Sequence, residues 1–286
     1  MSTHTSIEWT DHTFNIAWGC MKVSPGCANC YAETWAKWTH KERVWGPAAT
    51  TPRRVFGEKH WAEPLEWNAL AEHEGGRRRV FCSSMADVFE DHPTIDAERS
   101  KLWPLIRATP WLDWQILTKR PERIAANLPD DWGEGYPNVW LGTSIESPEY
   151  LPRFDALRAV PAAVHFLSLE PLLAQLSLYD HIASLGYNET WWAIVGGESG
   201  PGARPMRVEW IESIAADCWE FDVPLFVKQM GARPVTSNPK DWNCASSRLA
   251  DESGWALHLR DKKGGNAAEW PEHLRVREFP TSAVRV

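Results

Sequence analysis

Along this chain, short unbroken apolar runs alternate with polar or glycine-rich turns and then with stretches of helical period. The runs fall at 80–83, 114–117, 139–141, 164–167, 192–195 and 225–227, and another at 13–17 leads into a group of cysteines. A strand wetted on one face alternates apolar and polar residues, whereas an unbroken apolar run marks a strand covered on both faces, as in a parallel sheet. Between the runs, Val208, Ile211, Ala215, Cys218 and Phe221 recur at helical spacing, which predicts an amphipathic helix over 208–221. Further helices are expected to start at Asp96, Pro121 and Glu149. Pro121 suits a first turn, where its missing N–H leaves no bond unmade.

Strands alternating with helices at this pitch predict an α/β fold. The expected form is a partial or complete TIM-like (βα) barrel over 1–231, built from about six or seven parallel strands. Two stretches break the rhythm. Residues 40–78 hold Trp45, Trp61, Trp67 and many charges, and are expected as an excursion between the first two strands. Residues 232–286, with Pro, Asn, Ser and Gly, are expected as a C-terminal extension packed on the barrel.

Polar residues follow the C-terminal end of nearly every predicted strand, the rim on which barrel enzymes build active sites. Cys20 follows the first strand, Ser83, Ser84 and Asp87 the second, and Thr118, Lys119 and Arg120 the third. Ser144 and Glu146 follow the fourth, Ser168 and Glu170 the fifth, Gly196, Gly197, Glu198 and Ser199 the sixth, and Lys228 and Gln229 the last. The glycines of 196–202 either let backbone N–H groups approach a ligand or form a tight structural turn. Lys119 and Arg120 suit a carboxylate or phosphate, or a surface ion pair with Glu122 or Glu33. Glu170 is a candidate for substrate or cofactor binding, or a partner for Lys119 or Lys228.

Composition narrows the classes. In 286 residues, 43% hydrophobic and 24% charged, the balance is that of a globular protein. A net charge of −8 argues against indiscriminate binding to duplex nucleic acid, though not against a local basic groove. Arg77–79 and Arg53 with Arg54 are expected as solvated surface charge. The polar start and the lack of an apolar run of about 20 residues point to a cytoplasmic chain with no membrane partner. Most of the 19 tryptophans are expected in the core or packed at the rim, with some available to stack on a base.

Three of the six cysteines lie within eleven residues, Cys20-x6-Cys27-x2-Cys30, with Pro25 and Gly26 turning the chain between them. Three clustered thiolates can hold three irons of a [4Fe–4S] cluster and leave the fourth iron open. The same spacing admits a structural zinc completed by His12 or His40. Position favours chemistry, because the cysteines head a βα array. Cys82, Cys218 and Cys244 are expected as buried small residues.

The loop after the first strand resembles that of radical S-adenosylmethionine enzymes, whose usual spacing is Cys-x3-Cys-x2-Cys. Stretches 18–32, 117–123, 138–146, 166–173, 194–206 and 224–231 are more specifically similar to a phage- and bacteria-encoded family of unknown function with radical-enzyme character. The resemblance implies a radical-SAM type barrel, a [4Fe–4S] cluster on Cys20, Cys27 and Cys30, S-adenosylmethionine as cofactor, and a 5′-deoxyadenosyl radical that takes hydrogen from a substrate. It also implies a reductant such as flavodoxin or ferredoxin. On that basis Ser83, Ser84 and Asp87 are candidates for the methionyl ammonium, the alternative for Ser84 and Asp87 being a helix N-cap. Lys119 is a candidate for the methionyl carboxylate, and Ser144 and Glu146 for the ribose. Gly196, Gly197 and Glu198 are candidate ligand contacts. A nucleobase, nucleotide or nucleic acid is the expected substrate, and residues that carry out catalysis beyond the cluster are not assigned. A zinc-stapled nucleic-acid-binding module is the competing expectation.

Overall fold

The computed structural model describes residues 5–39, 41 and 43–281. Strands form where the apolar runs predict them: β1 (His12–Phe14), β2 (Arg78–Cys82), β3 (Leu112–Thr118), β4 (Val139–Ser144), β5 (Val164–Leu169) and β6 (Trp191–Gly196). A two-residue strand β7 (Met206–Arg207) comes next, followed by β8 (Leu225–Gln229). Seven of them make one sheet in the order β1-β2-β3-β4-β5-β6-β8, an α/β fold of parallel strands. β4, β5 and β6 are buried along their whole length, the consequence of being covered on both faces.

Cα packing divides the chain into two compact units, residues up to 143 with 155–165, and residues 144–154 with 166–281. In the first, β1, β2, β3 and β4 pair in parallel, with Phe14 beside Cys82, Cys82 beside Ile116, and Ile116 beside Leu141. Phe14, Val80, Trp114 and Ile116 are fully buried there. In the second, β6 and β8 pair in parallel with a bulge at Gly196.

The helices are α1 (Tyr31–Thr39), α2 (Glu58–Glu74), α3 (Pro93–Arg107), α4 (Pro152–Arg158), α5 (Tyr179–Ala183) and α6 (Val208–Glu220). α6 matches the predicted span and buries Val208, Ile211, Ile214, Ala215 and Cys218. α3 starts three residues before Asp96, because Pro93 occupies its first turn and the His92 ring caps it by accepting from the Thr94 N–H at 3.1 Å. The helix expected from Pro121 is not formed. Pro121–Arg123 and Ala125–Asn127 make only single 3-10 turns, and Pro129, Gly133, Gly135 and Pro137 prevent continuation. At Glu149 a 3-10 turn (Pro148–Tyr150) precedes α4.

The excursion at 40–78 contains α2, a 17-residue helix that the sequence pattern hides. Its core face is His60, Pro64, Trp67 and Ala71, and it ends on Gly75 in the left-handed conformation. Beyond β8 the chain forms β9 (Pro234–Thr236), β10 (Ala245–Arg248) and β11 (Trp255–His258). With β7 they make a second sheet in the order β10-β11-β9-β7. Among the described residues no helix is long and apolar enough to cross a membrane.

Candidate functional site

Asn15, Ile16, Ala17 and Trp18 leave the end of β1 buried, and Gly19 then turns the chain into the cysteine loop. Gly19 has φ +111, and a Cβ there would lie 2.1 Å from the Val44 carbonyl oxygen, so glycine alone fits. Cys20, Cys27 and Cys30 are free and half-buried. A one-turn 3-10 helix over Pro25–Cys27 brings the second and third cysteines round, and α1 begins at Tyr31, directly after Cys30.

Buried charge fixes the start of the loop. Glu90 accepts from the Met21 N–H at 2.7 Å and receives Arg53 in a two-point pair at 2.8 Å and 2.8 Å. Arg120 donates to the Met21 carbonyl at 2.7 Å and to Asp87 at 2.7 Å, and its Nη1 lies 3.7 Å from the Cys20 sulfur. Both backbone polar groups of Met21 are therefore held by buried ionic side chains. Arg53 also donates to the carbonyls of Val44, Thr51 and Gly46, so a charge expected on the surface is wholly internal. Glu90, Arg53 and the role of Arg120 escape sequence reasoning because the partners are far apart along the chain.

These surroundings tune the thiols. Burial, reinforced by Asp87 and opposed by Arg120, pushes the Cys20 thiol up to about 12. Burial raises Cys30 too, while the N–H groups of Glu33 and Ala32 and the charge of Lys119 work to lower it. Burial works against the charge of Arg120, but Asp87 and Cys20 outweigh it and hold the guanidinium above its ordinary pKa.

Among the described residues, no three His, Cys, Asp or Glu side chains are already drawn together around one ion position. The donor chemistry nevertheless fits an iron–sulfur cluster. It offers three thiols on one loop, backbone N–H groups directed at the Cys30 sulfur, and cations beside Cys20 and Cys30, all features that stabilise cluster thiolates. A zinc site needs a fourth ligand. His12 cannot supply it, because it lies in β1, before the strand's C-terminal end, and stacks on Trp67 at 4.4 Å. His40 lies outside the described residues.

The other rim candidates of the first unit are placed as follows. Ser84 exchanges hydrogen bonds with Asn15, and its carbonyl accepts from the exposed Tyr31 hydroxyl at 2.9 Å. The Ser83 hydroxyl accepts from the Ile16 N–H at 3.4 Å. Asp87 is buried and takes Phe89 N–H, Thr118 Oγ1, Lys119 N–H and Arg120 on its two oxygens, at 3.0, 2.7, 3.1 and 2.7 Å. That commits it to positioning Arg120, not to meeting an ammonium directly. No helix starts at Ser84 or Asp87, so neither is an N-cap.

In the second unit, Glu146 is wholly buried and pairs at 3.0 Å with Arg153, which also donates to the Ser144 carbonyl at 2.8 Å. Glu170 takes Lys228 at 2.8 and 2.7 Å and Gln229 at 3.0 Å, the ion-pair alternative for both residues. Glu198 is clamped by Arg204, at 2.9 Å from its Nε. A Cβ on Gly197 would lie 2.4 Å from the Met230 carbonyl oxygen, and one on Gly196 would lie 3.1 Å from that of Gln229. The glycines thus serve close backbone packing of the turns after β6 and β8. Cys82 and Cys218 are buried as expected, but Cys244 is half-exposed, because it precedes the exposed edge strand β10.

The seven-stranded parallel sheet is an α/β architecture of the radical-SAM fold type. Three solved variants of spore photoproduct lyase, a radical S-adenosylmethionine enzyme, share it. A tyrosine-to-phenylalanine variant matches with TM-score 0.51 and 11% identity, over 91% of this chain and 72% of its own. A cysteine-to-serine variant matches with 0.51 and 13%, over 92% and 72%. A doubly substituted variant with bound AdoMet and dinucleoside spore photoproduct matches with 0.50 and 13%, over 91% and 72%. The chain itself belongs to the family described as "Protein of unknown function (DUF5131)", whose model matches residues 4–267. No curated protein matches the sequence.

Proposed function

We propose that this protein is a radical S-adenosylmethionine enzyme with Cys20, Cys27 and Cys30 as the ligands of a [4Fe–4S] cluster. The observation that carries this is a loop of three free thiols at the end of β1 in a radical-SAM type fold, with Met21 held between Glu90 and Arg120. When bound, such a cluster supplies the electron that cleaves S-adenosylmethionine to a 5′-deoxyadenosyl radical able to abstract hydrogen. The chain's own residues do the rest. Arg53, Glu90, Asp87 and Arg120 fix the entry to the loop, and Arg120 places positive charge beside Cys20. Lys119, close enough to Cys30 to favour its thiolate, is the candidate for the methionyl carboxylate. Ser83 and Ser84, at the end of β2, are the candidates for the methionyl ammonium. Ser144 and Glu146, at the C-terminal end of β4, are the candidates for the ribose. A nucleobase in a nucleotide or nucleic acid is the proposed substrate, in keeping with the dinucleoside held by one lyase neighbour. A flavodoxin or ferredoxin is the proposed reductant.

Anaerobic reconstitution tests the proposal. The wild type should take up about four irons with matching sulfide, and with dithionite and S-adenosylmethionine should release 5′-deoxyadenosine. The Cys20→Ala, Cys27→Ala, Cys30→Ala triple variant should do neither. A chain that binds one zinc tightly and refuses iron and sulfide overturns it.

A further inference from the structure

The segment that carries the cysteines also builds an aromatic and basic surface. A hollow of about 540 Å³ is lined by Trp18, Trp35, Arg54, Phe56, Lys59 and Glu63. Trp18 meets Trp35 edge-on at 5.3 Å and Phe56 at 5.6 Å, and the Arg54 guanidinium lies 4.5 Å over the Trp18 ring. A second hollow of about 580 Å³ is lined by Lys37, Lys41, Arg43 and Trp45.

Helix α1 lies between them. Ala32 and Ala36 are its buried side. At about 3.6 residues per turn, Trp35 and Lys37 fall on opposite flanks and Trp38 on the crest, away from the core. Trp35 is 45% exposed and Trp38 84%, so two aromatic faces on one helix are open to solvent beside the hollow. In a protein of net charge −8, the two hollows bring together Lys37, Lys41, Arg43, Arg54 and Lys59. Among the described residues that line the hollows the acid is Glu63, 3.5 Å from His60, while Glu33 on α1 pairs with Lys22 at 2.8 Å and Lys37 at 2.5 Å.

We infer that this surface binds single-stranded nucleic acid, laid across α1. Phosphates would sit over Lys37, Lys41 and Arg43, one base would stack on Trp38, and the next would enter the Trp35–Phe56–Arg54 hollow. Flat aromatic faces interleaved with cations match an unpaired polynucleotide, because every base offers a π-face and every link a negative charge. A duplex offers its phosphates but keeps its base faces stacked inside. The inference deepens the proposed function by naming a strand as the form of substrate, and the strand's role as substrate rests on that reading; the binding itself does not.

The test measures anisotropy of a labelled oligothymidylate of about twelve nucleotides against reconstituted protein, with iron and sulfide assayed on each sample. The wild type should bind the strand tighter than a duplex of equal length, with quenching of tryptophan fluorescence. Trp35→Ala with Trp38→Ala should weaken binding about tenfold or more, and Lys41→Glu with Arg43→Glu should weaken it and flatten its salt dependence. Both variants should keep the wild-type iron content. A wild type that loads its cluster but binds strand no tighter than duplex overturns the inference and leaves the cluster proposal standing. So does strand binding that both variants retain in full. Strand binding by a chain that takes no cluster upholds the surface and sinks the radical mechanism.

Discussion

Met21 is not a cysteine, yet its backbone decides where Cys20 points. Its N–H is taken by Glu90 and its carbonyl by Arg120, and Glu90 is in turn neutralised by Arg53 inside the protein. Removing one member of a buried pair leaves an uncompensated charge, at a cost of about 3–5 kcal/mol. Glu90→Gln is therefore expected to destabilise the apoprotein by that order, measured by urea unfolding, and to lower iron uptake on reconstitution. Unchanged stability and unchanged iron would remove the clamp from the account. Gly19 carries a second expectation. With φ +111 and the Val44 carbonyl where a Cβ would go, Gly19→Ala combines backbone strain of about 1–3 kcal/mol with a steric clash. It should lower the melting temperature and loosen the cysteine loop to proteolysis, whereas Gly57→Ala, with open space around it, should leave loop proteolysis unchanged.

Elements were legible in the sequence where burial is two-sided. The seven main strands lie under the seven apolar runs, because a strand covered on both faces has no polar positions to confuse the pattern. Helix α2 was not legible, since its core face is spelled His60, Pro64, Trp67 and Ala71, and neither histidine nor proline reads as apolar. The site was half legible. The cysteines announce themselves by spacing, but Arg53 and Glu90 are 37 positions apart and meet only in the folded chain. The second sheet was missed for another reason: β9, β10 and β11 are short, and β10 is exposed along its whole length. Glu209, in the first turn of α6, ties the start of that sheet by accepting from the Ser237 N–H, the Ser237 hydroxyl at 2.7 Å and Thr236 Oγ1 at 3.0 Å. Burial alone would raise its pKa, but these donors hold it below the ordinary carboxylate value of 4.5. A lowered folded-state pKa means stability that is present above the unfolded value and lost as pH falls through the folded one. Glu209→Gln should accordingly cost about 1–2 kcal/mol near neutrality, and the gap from wild type should close in thermal unfolding below about pH 4. A gap that widens toward acid would contradict the assignment.

At the scale of the whole molecule, membership of a family without an assigned function and a radical-SAM type fold meet at one loop. The fold supplies a parallel sheet whose strand ends carry the polar residues. What this chain adds is a six-residue gap between Cys20 and Cys27, where radical S-adenosylmethionine enzymes usually have three. The buried pairs on Met21 fix the near end of that gap, and the turn at Pro25–Cys27 returns the far end to Cys30. Low-temperature electron paramagnetic resonance of the anaerobically reconstituted, dithionite-reduced protein, recorded before and after S-adenosylmethionine is added, tests the central claim most directly. A reduced [4Fe–4S] signal whose g-values shift on addition, and which is lost in the Cys20, Cys27, Cys30 triple alanine variant, is the result predicted. A fully loaded cluster whose spectrum ignores S-adenosylmethionine, or a cluster that persists without those three cysteines, would contradict it.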